Sequence, residues 1–415
     1  MKIKSVQFQV PAATGNQDIT TANLGGDTPK AVLFFWSYSN SNGTVGRVQK
    51  LIGMGAATST TKRWYINSME EDNVGFSNTS RKSGSTTCID ITNPSTQAVR
   101  AVADIVTFIA NGVRLSWTVT TSNSEYITAI FFSGSEISVL ADILTADATN
   151  GNTVDVNTVG FKPDVLFTAE GAVKFDGNVV GNAEFDTGIV TSDARQRSYM
   201  TFGNDNVDTT ASASILSTAY GNRRVNIAAA NEYAFEYGTF DASGFSVTTR
   251  LANLGDSWKI AFLAIKAPGS SFYLNDENSK SAPAGNLAYT GYGFQPTSVF
   301  FISGSITALD TKGTGAESEC HMLGVHDSSS VASSYDGTNA DNFATSKCNS
   351  LSNTSPFNTY NGGPNTLCRA TVNSMDADGY TLNFSTVNSQ VRFLALAVKE
   401  GTGSRKKDFM PMMPY

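Results

Sequence analysis

Charge is scarce in this sequence. Of 415 residues only 16% are Asp, Glu, Lys or Arg, against roughly a quarter in ordinary soluble chains. That composition excludes a coiled coil, which needs Glu, Lys, Leu and Ala at heptad spacing. Histidine is almost absent: His321 and His326 are the only two, so any Ser-His-Asp or Cys-His mechanism must use one of them. The four cysteines, Cys88, Cys320, Cys348 and Cys368, form no CxxC pair, which rules out a zinc ribbon. Three of them lie in the last third of the chain, so one local disulfide is an option there, with buried free thiols as the other reading. Long apolar runs are missing too. Those at 31–36 and 260–265 span about six residues, where a membrane helix needs about 20. The first ten residues carry charge but no apolar h-region, so no signal peptide is expected and the chain is expected to be soluble and made in the cytoplasm. With 29 basic and 36 acidic residues the net charge is −7 and no basic stripe occurs, so no nucleic-acid partner is expected. Aromatics, at 10%, and recurring apolar runs argue against a long disordered chain.

What is present is one pattern written three times. Thr28-Pro-Lys-Ala-Val-Leu-Phe-Phe-Trp36 returns as Lys162-Pro-Asp-Val-Leu-Phe-Thr168 and as Gln295-Pro-Thr-Ser-Val-Phe-Phe-Ile302, with Pro29, Pro163 and Pro296 spaced 134 and 133 residues apart. A second landmark is a glycine followed by alternating residues, at Gly112, Gly244 and Gly379, spaced 132 and 135. A third is a closing apolar run at 126–132, 258–266 and 391–399. A period of this length is the size of a domain, so the reading is three tandem homologous units at 1–136, 137–268 and 269–402, followed by a short C-terminal arm at 403–415.

Each unit reads as β-structure. Val113, Leu115, Trp117 and Val119 alternate with polar residues, as do Tyr380, Leu382 and Phe384, giving one buried and one wet face. Asn111-Gly112 and Asp378-Gly379 resemble type I′ hairpin turns. The closing runs are apolar almost throughout, as in strands covered on both faces. Each proline precedes a strand, where a missing N–H is harmless. Residues 58–62 and 353–365 read as loops, and 93–103 is the one helical candidate. The expected fold is all-β, with three antiparallel β-sandwich or jelly-roll domains.

Few residues suggest chemistry. Neither histidine has a counterpart in the other two units, and the spacing of Cys320 and His321 fits no common metal site, so both are expected to be surface or partly buried polar groups. A tyrosine followed by an Asp-Asn pair recurs: Tyr65 with Asp72 and Asn73, Tyr199 with Asp205 and Asn206, Tyr335 with Asp341 and Asn342. The pair could supply oxygen ligands to calcium or form an Asx turn between strands; without EF-hand spacing the turn is favoured. The tyrosines could also be sugar platforms, although core burial is the commoner fate of tyrosine. Gly53-Met-Gly55 lacks the strand and helix of a phosphate loop, and no carboxylate pair is marked out as acid and base. No catalytic residue, metal or cofactor is therefore assigned. In the arm, Phe409, Met410, Met412, Met413 and Tyr415 stand beside two prolines. So apolar a segment suits docking on another subunit better than free solution.

Val159-Gly-Phe-Lys-Pro-Asp-Val165, Tyr292-Gly-Phe-Gln-Pro296, Met375-Asp-Ala-Asp-Gly-Tyr-Thr-Leu-Asn-Phe384 and closing strands ending in Lys266 and Lys399 resemble a β-sandwich module of structural proteins in tailed bacteriophages. The resemblance covers nearly all of 1–402, once per unit; the first unit departs from it, with Asp27 where the others have Phe and no closing Lys. It implies a virion component assembled in the host cytoplasm, with capsid or tail proteins as partners and no membrane partner. A capsid decoration protein ranks first, because three like domains suit a quasi-threefold position on a shell and no fibre shaft is apparent. A tail or head-fibre protein binding host glycans is the alternative, and a glycan-active enzyme a third class.

Overall fold

The computed structural model describes residues 1–41, 45–47, 49–121, 125–170, 174–207, 212–225, 231–252, 258–313, 320–327, 331–338, 348–353, 355–360 and 366–401. The stretches 45–47, 231–232, 331–338 and 348–353 are described by their backbone. Among the described residues the chain is all-β, apart from single 3₁₀ turns, and every sheet is antiparallel.

The first part of the chain contributes β1 (Lys2–Gln9), β2 (Gly15–Thr20), β3 (Pro29–Ser37), β4 (Val45–Arg47), β5 (Lys50–Ala57), β6 (Arg63–Glu70), β7 (Thr79–Gly84), β8 (Ile89–Thr92), β9 (Val99–Ile109), β10 (Gly112–Val119) and β11 (Tyr126–Ser133). They form a wide sheet, β1-β11-β3-β5-β6-β7, and a narrow one, β2-β10-β9-β8. Next come β12 (Ser138–Thr145), β13 (Thr153–Val156), β14 (Val165–Glu170), β15 (Asp176–Gly181), β16 (Ala183–Thr191), β17 (Gln196–Gly203), β18 (Ser212–Ser217), β19 (Asn222–Val225), β20 (Asn231–Phe240), β21 (Phe245–Ala252) and β22 (Lys259–Lys266). Their sheets run β12-β22-β14-β16-β17-β18 and β13-β21-β20-β19. Last are β23 (Ser271–Asn278), β24 (Gly285–Thr290), β25 (Ser298–Ser303), β26 (Cys320–His326), β27 (Val331–Thr338), β28 (Cys348–Asn353), β29 (Phe357–Tyr360), β30 (Thr366–Asp376), β31 (Gly379–Val387) and β32 (Arg392–Lys399). These pair as β23-β32-β25-β26-β27-β28 and β24-β31-β30-β29. In each sheet pair the last strand lies between the first and third of the wide sheet and the second strand pairs with the last but one, so the chain alternates between the layers at both ends of the segment, as in a jelly roll, and runs as hairpins within one sheet in between. Two strands leave their own surroundings: β15 extends the first wide sheet beyond β7, and β4 extends the third beyond β28.

The closing runs explain how the layers stack. In β22, Ile260, Phe262 and Ala264 face the narrow sheet, while Ala261, Leu263 and Ile265 face the opposite way. The same division holds in β32, with Phe393, Ala395 and Ala397 on one face and Leu394, Leu396 and Val398 on the other. One face closes a private sandwich core. The other joins a single core shared by all three wide sheets. Near its middle Phe132, Phe167 and Phe300 stand with ring centroids 6.0, 5.1 and 6.4 Å apart. They leave an apolar void of about 30 Å³ lined by residues that include Leu33, Phe167 and Phe300. Truncating a buried Phe in such a core costs about 3–5 kcal/mol.

Local expectations change in three places. Residues 93–103 are not helical. Asn93 Oδ1 accepts the N–H groups of Ser95 and Thr96 at 2.9 and 3.3 Å, as an N-cap would, but Gln97 turns left-handed at φ 56° and the chain enters β9. Within 353–365, Phe357–Tyr360 is a strand, with Phe357 and Tyr360 buried. The hairpin after β9 turns on Ala110 and Asn111, since Ile109 pairs with Gly112. Gly112 is thus the first residue of β10 rather than a turn residue, and its role is different. A Cβ there would lie 1.9 Å from the carbonyl oxygen of Ile19 on β2, and one at Gly244 or Gly379 would lie 1.9 Å from that of Val156 or 2.0 Å from that of Tyr289. A second set does the same between the layers. Gly55, Gly188 and Gly324 leave room for the carbonyl oxygens of Cys88, Gly221 and Pro356, which a Cβ would meet at 2.0, 1.8 and 1.8 Å.

Backbone cannot retreat as a flexible side chain can. Gly55→Ala and Gly244→Ala are therefore expected to lose about 1–3 kcal/mol each, the usual cost of overpacking. Gly75→Ala, where an added Cβ meets nothing within 4 Å, should stay within about 0.5 kcal/mol of the parent. Urea denaturation midpoints measure all three.

Candidate functional site

The recurrent tyrosines do not share one position. Tyr65 lies across the ladder from Gly55, whereas Gly188 faces Ser198 and Tyr199 pairs with Thr187. In the third sheet Gly324 faces Ser333, and Tyr335 pairs with Met322. A slip of one residue turns a side chain to the other face. Tyr65 therefore enters the first sandwich core, where burial and the neighbouring Asp90 push its phenol well above its ordinary pKa. Tyr199 enters the shared core, and its hydroxyl donates to the Cys320 carbonyl oxygen at 2.7 Å. The side chain of Tyr335 lies outside the described residues. Tyr65 and Tyr199 are packing groups, and neither is an exposed platform.

The first two Asp-Asn pairs fall in turns between the last two strands of their wide sheets, β6 and β7 or β17 and β18. Asn73 and Asn206 are both left-handed, at φ 60° and 57°, a conformation that Asn tolerates. The second turn has a further role. Asp205 Oδ1 accepts the Thr79 N–H at 3.0 Å, the Asn206 N–H donates to the Ser77 carbonyl oxygen at 2.7 Å, and the Ser77 N–H returns to the Val207 carbonyl oxygen at 2.9 Å. A turn of the second wide sheet is thus tied to the start of β7 in the first. Asp341 and Asn342 lie outside the described residues. Among the described residues no cluster of three or more His, Cys, Asp or Glu could hold a metal ion.

His321 is fully buried, not a surface group. Cys320 and His321 point to opposite faces, as adjacent strand residues must. Cys320 enters the third sandwich core, while the His321 ring packs edge-on between Phe185 and Tyr199, with centroids 4.8 and 4.9 Å away. Its Nε2 is 2.9 Å from the Thr187 hydroxyl. Burial, and then the charge of Lys50, hold its pKa well below the ordinary value, so the ring is neutral at pH 7. His321 thus belongs to the third sheet pair, Thr187 to the second and Lys50 to the first, and the histidine marks where they meet. His326 is also held below its ordinary pKa, chiefly by burial. Cys88, Cys320 and Cys368 are buried thiols outside any disulfide, and burial raises the thiols of Cys88 and Cys368. They are poor nucleophiles in that state.

The charges that matter were invisible to the sequence pattern. Glu184 is buried between Arg81 of the first sheet pair, 3.0 Å away, and Arg224 of its own. Lys50 and Glu70 are buried together 3.9 Å apart, and Lys82 meets Asp90 at 2.6 Å. The Trp64 indole donates to the Phe262 carbonyl oxygen across the same boundary at 2.9 Å. Breaking such a buried pair is costly, because it leaves a charge without a partner in a poorly solvated place. A groove of about 440 Å³ lies where Met1, Gly134, Pro268 and Gly401 come together, with Lys2, Lys30, Asp27 and Glu136 on its walls. The junctions between the three chain segments therefore gather around one groove. Phe409, Met410, Met412, Met413 and Tyr415 follow Gly401 in sequence and lie outside the described residues.

The depressed pKa of His321 fixes a sign. The unfolded chain binds a proton at this histidine below about pH 6.5 while the folded chain does not, so folding weakens as pH falls through that point. Between pH 6.5 and 5 the parent should lose up to about 2 kcal/mol that His321→Gln retains. Buried Asp186, whose carboxyl burial and Glu170 raise, contributes with the opposite sign in both proteins and cancels in the difference. Urea midpoints of the two chains at each pH measure it.

Compared with models of known protein families the chain matches none, and comparison with curated proteins gives no match either. Among solved structures, a fructofuranosidase from Schwanniomyces occidentalis complexed with fructose aligns over 95% of this chain and 98% of its own at 6% identity, with a TM-score of 0.14. A likeness at that level carries no argument about fold or activity.

Proposed function

We propose that this protein is a structural component of a bacteriophage virion, a decoration protein on the capsid surface. The observation that carries this reading is the shared core: three sheet pairs of one strand order pack their wide sheets against each other. A single chain so built presents three similar outward surfaces, which suits a site where three shell subunits meet. Contacts too weak to hold singly would add through multivalency. Polar groups that could be mistaken for chemistry, such as His321, Tyr199 and Asp205, are engaged between the sheet pairs, which favours assembly over turnover. Gly401, two residues before the C-terminal arm, lines the groove where the segment junctions gather, a position from which one tether could reach a partner. Burial of Tyr65 and Tyr199 removes two of the three tyrosines that favoured glycan binding.

The test is addition of the purified protein to capsids lacking it. It should bind and raise their melting temperature, and a chain without 403–415 should lose most of that attachment. Binding only to host cells or glycans, with no effect on capsids, would overturn the reading.

A further inference from the structure

The two strands that leave their own surroundings follow one rule. Each comes from the segment after the proline-marked strand, and each lands on the last strand of another wide sheet. β15, which follows β14, pairs with β7 through Val179–Lys82, Val180–Arg81 and Gly181–Ser80. β4, which follows β3, pairs with β28 through Arg47–Ser350 and Val45–Leu351. The third case is shorter but equivalent: Gly313, in the segment after β25, bridges Ser214 on β18, with the Gly313 N–H donating to the Ser214 carbonyl oxygen at 2.8 Å. The second sheet pair thus donates to the first, the first to the third and the third to the second.

The opposite edges of the wide sheets are covered in the reverse order, so that every boundary carries one donation and one covering. On β1 the Ile3 N–H donates to Glu400 at 2.7 Å and the Ser5 N–H to Asp327, both from the third sheet pair. On β12 the Ala141 N–H donates to the Thr58 hydroxyl at 3.2 Å, and Asp142 pairs with Lys62 at 2.5 Å, both from the first. On β23 the Leu274 carbonyl oxygen accepts from Arg195 at 3.3 Å and Asp276 pairs with Arg197 at 2.9 Å, both from the second. Contacts of one sense that return to their origin after three steps are those of a closed heterologous ring. Side-chain caps on an edge strand also discourage stray pairing there.

Two of the three boundaries are crossed by the peptide chain, through turns exposed at Ser135-Glu136 and Pro268-Gly269. The boundary between the third and first sheet pairs has no such turn, yet it carries the same strand donation and the same edge covering. The linker therefore does not create the interface. We infer that each sheet pair recognises the next through its own noncovalent surface, so that the natural partner of one sheet pair is another of its kind, and the ring holds without its two peptide junctions. This holds whether or not the chain is a virion component.

The test uses the full chain with a specific protease site inserted at 135–136 and another at 268–269. After complete cleavage the three pieces should remain one particle of the parent mass in native mass spectrometry and light scattering. In the cut particle, Asp327→Ala removes a buried cap on β1 at the boundary without a linker. It should raise the concentration at which the particle falls apart about tenfold, equivalent to about 1.4 kcal/mol, while the uncut chain keeps the mass of the parent. Separation or precipitation of the pieces on cleavage overturns the inference. So does a cut particle whose dissociation is indifferent to Asp327→Ala.

Discussion

The constraint on which everything rests is that the wide sheets are apolar on both faces. A sheet with one wet face could complete a sandwich and stop. Here the face turned away from each narrow sheet carries Leu33 and Phe35, Val165 and Phe167, or Phe300 and Ile302, all buried. At roughly 25 cal/mol for each Å² of apolar surface, leaving three such faces in water would be severely unfavourable. Each sheet pair needs the other two, and the shared core follows from that need.

Close packing then dictates the special residues. Glycine is required wherever a neighbouring carbonyl occupies the place of a Cβ, within the narrow sheets and between the layers. Polar groups taken into the boundaries must be partnered, as Glu184 is by two guanidinium groups and the β1 edge is by Asp327 and Glu400. Function, in the reading proposed here, is a consequence of that economy of surface: the polar groups are occupied internally, and what remains outside is a repeated face.

Much of this was legible in the sequence. Unbroken apolar runs such as 258–266 announced strands covered on both sides, and the spacing of Pro29, Pro163 and Pro296 marked equivalent strands. Gly112 and Gly379 were read as turn glycines, but at both a neighbouring carbonyl also occupies the place of a Cβ, and only Gly379 has a positive φ besides. The tyrosines misled because identity in sequence spacing hides a slip of one residue, and one residue decides the face. The donated strands could not be read at all. Val45-Gly-Arg47 and Asp176–Gly181 are short, and a strand at a sheet edge needs little apolar alternation. Nor could the pairing of Glu184 with Arg81, a contact across 103 residues that no local pattern encodes.

The central claim is that three sandwiches make one cooperative body. Differential scanning calorimetry tests it most directly. The account predicts a single heat-absorption peak whose van't Hoff enthalpy equals the calorimetric enthalpy of the whole chain. Two or three resolved peaks, or a van't Hoff enthalpy near one third of the calorimetric value, would mean that the sheet pairs melt independently, and would contradict it.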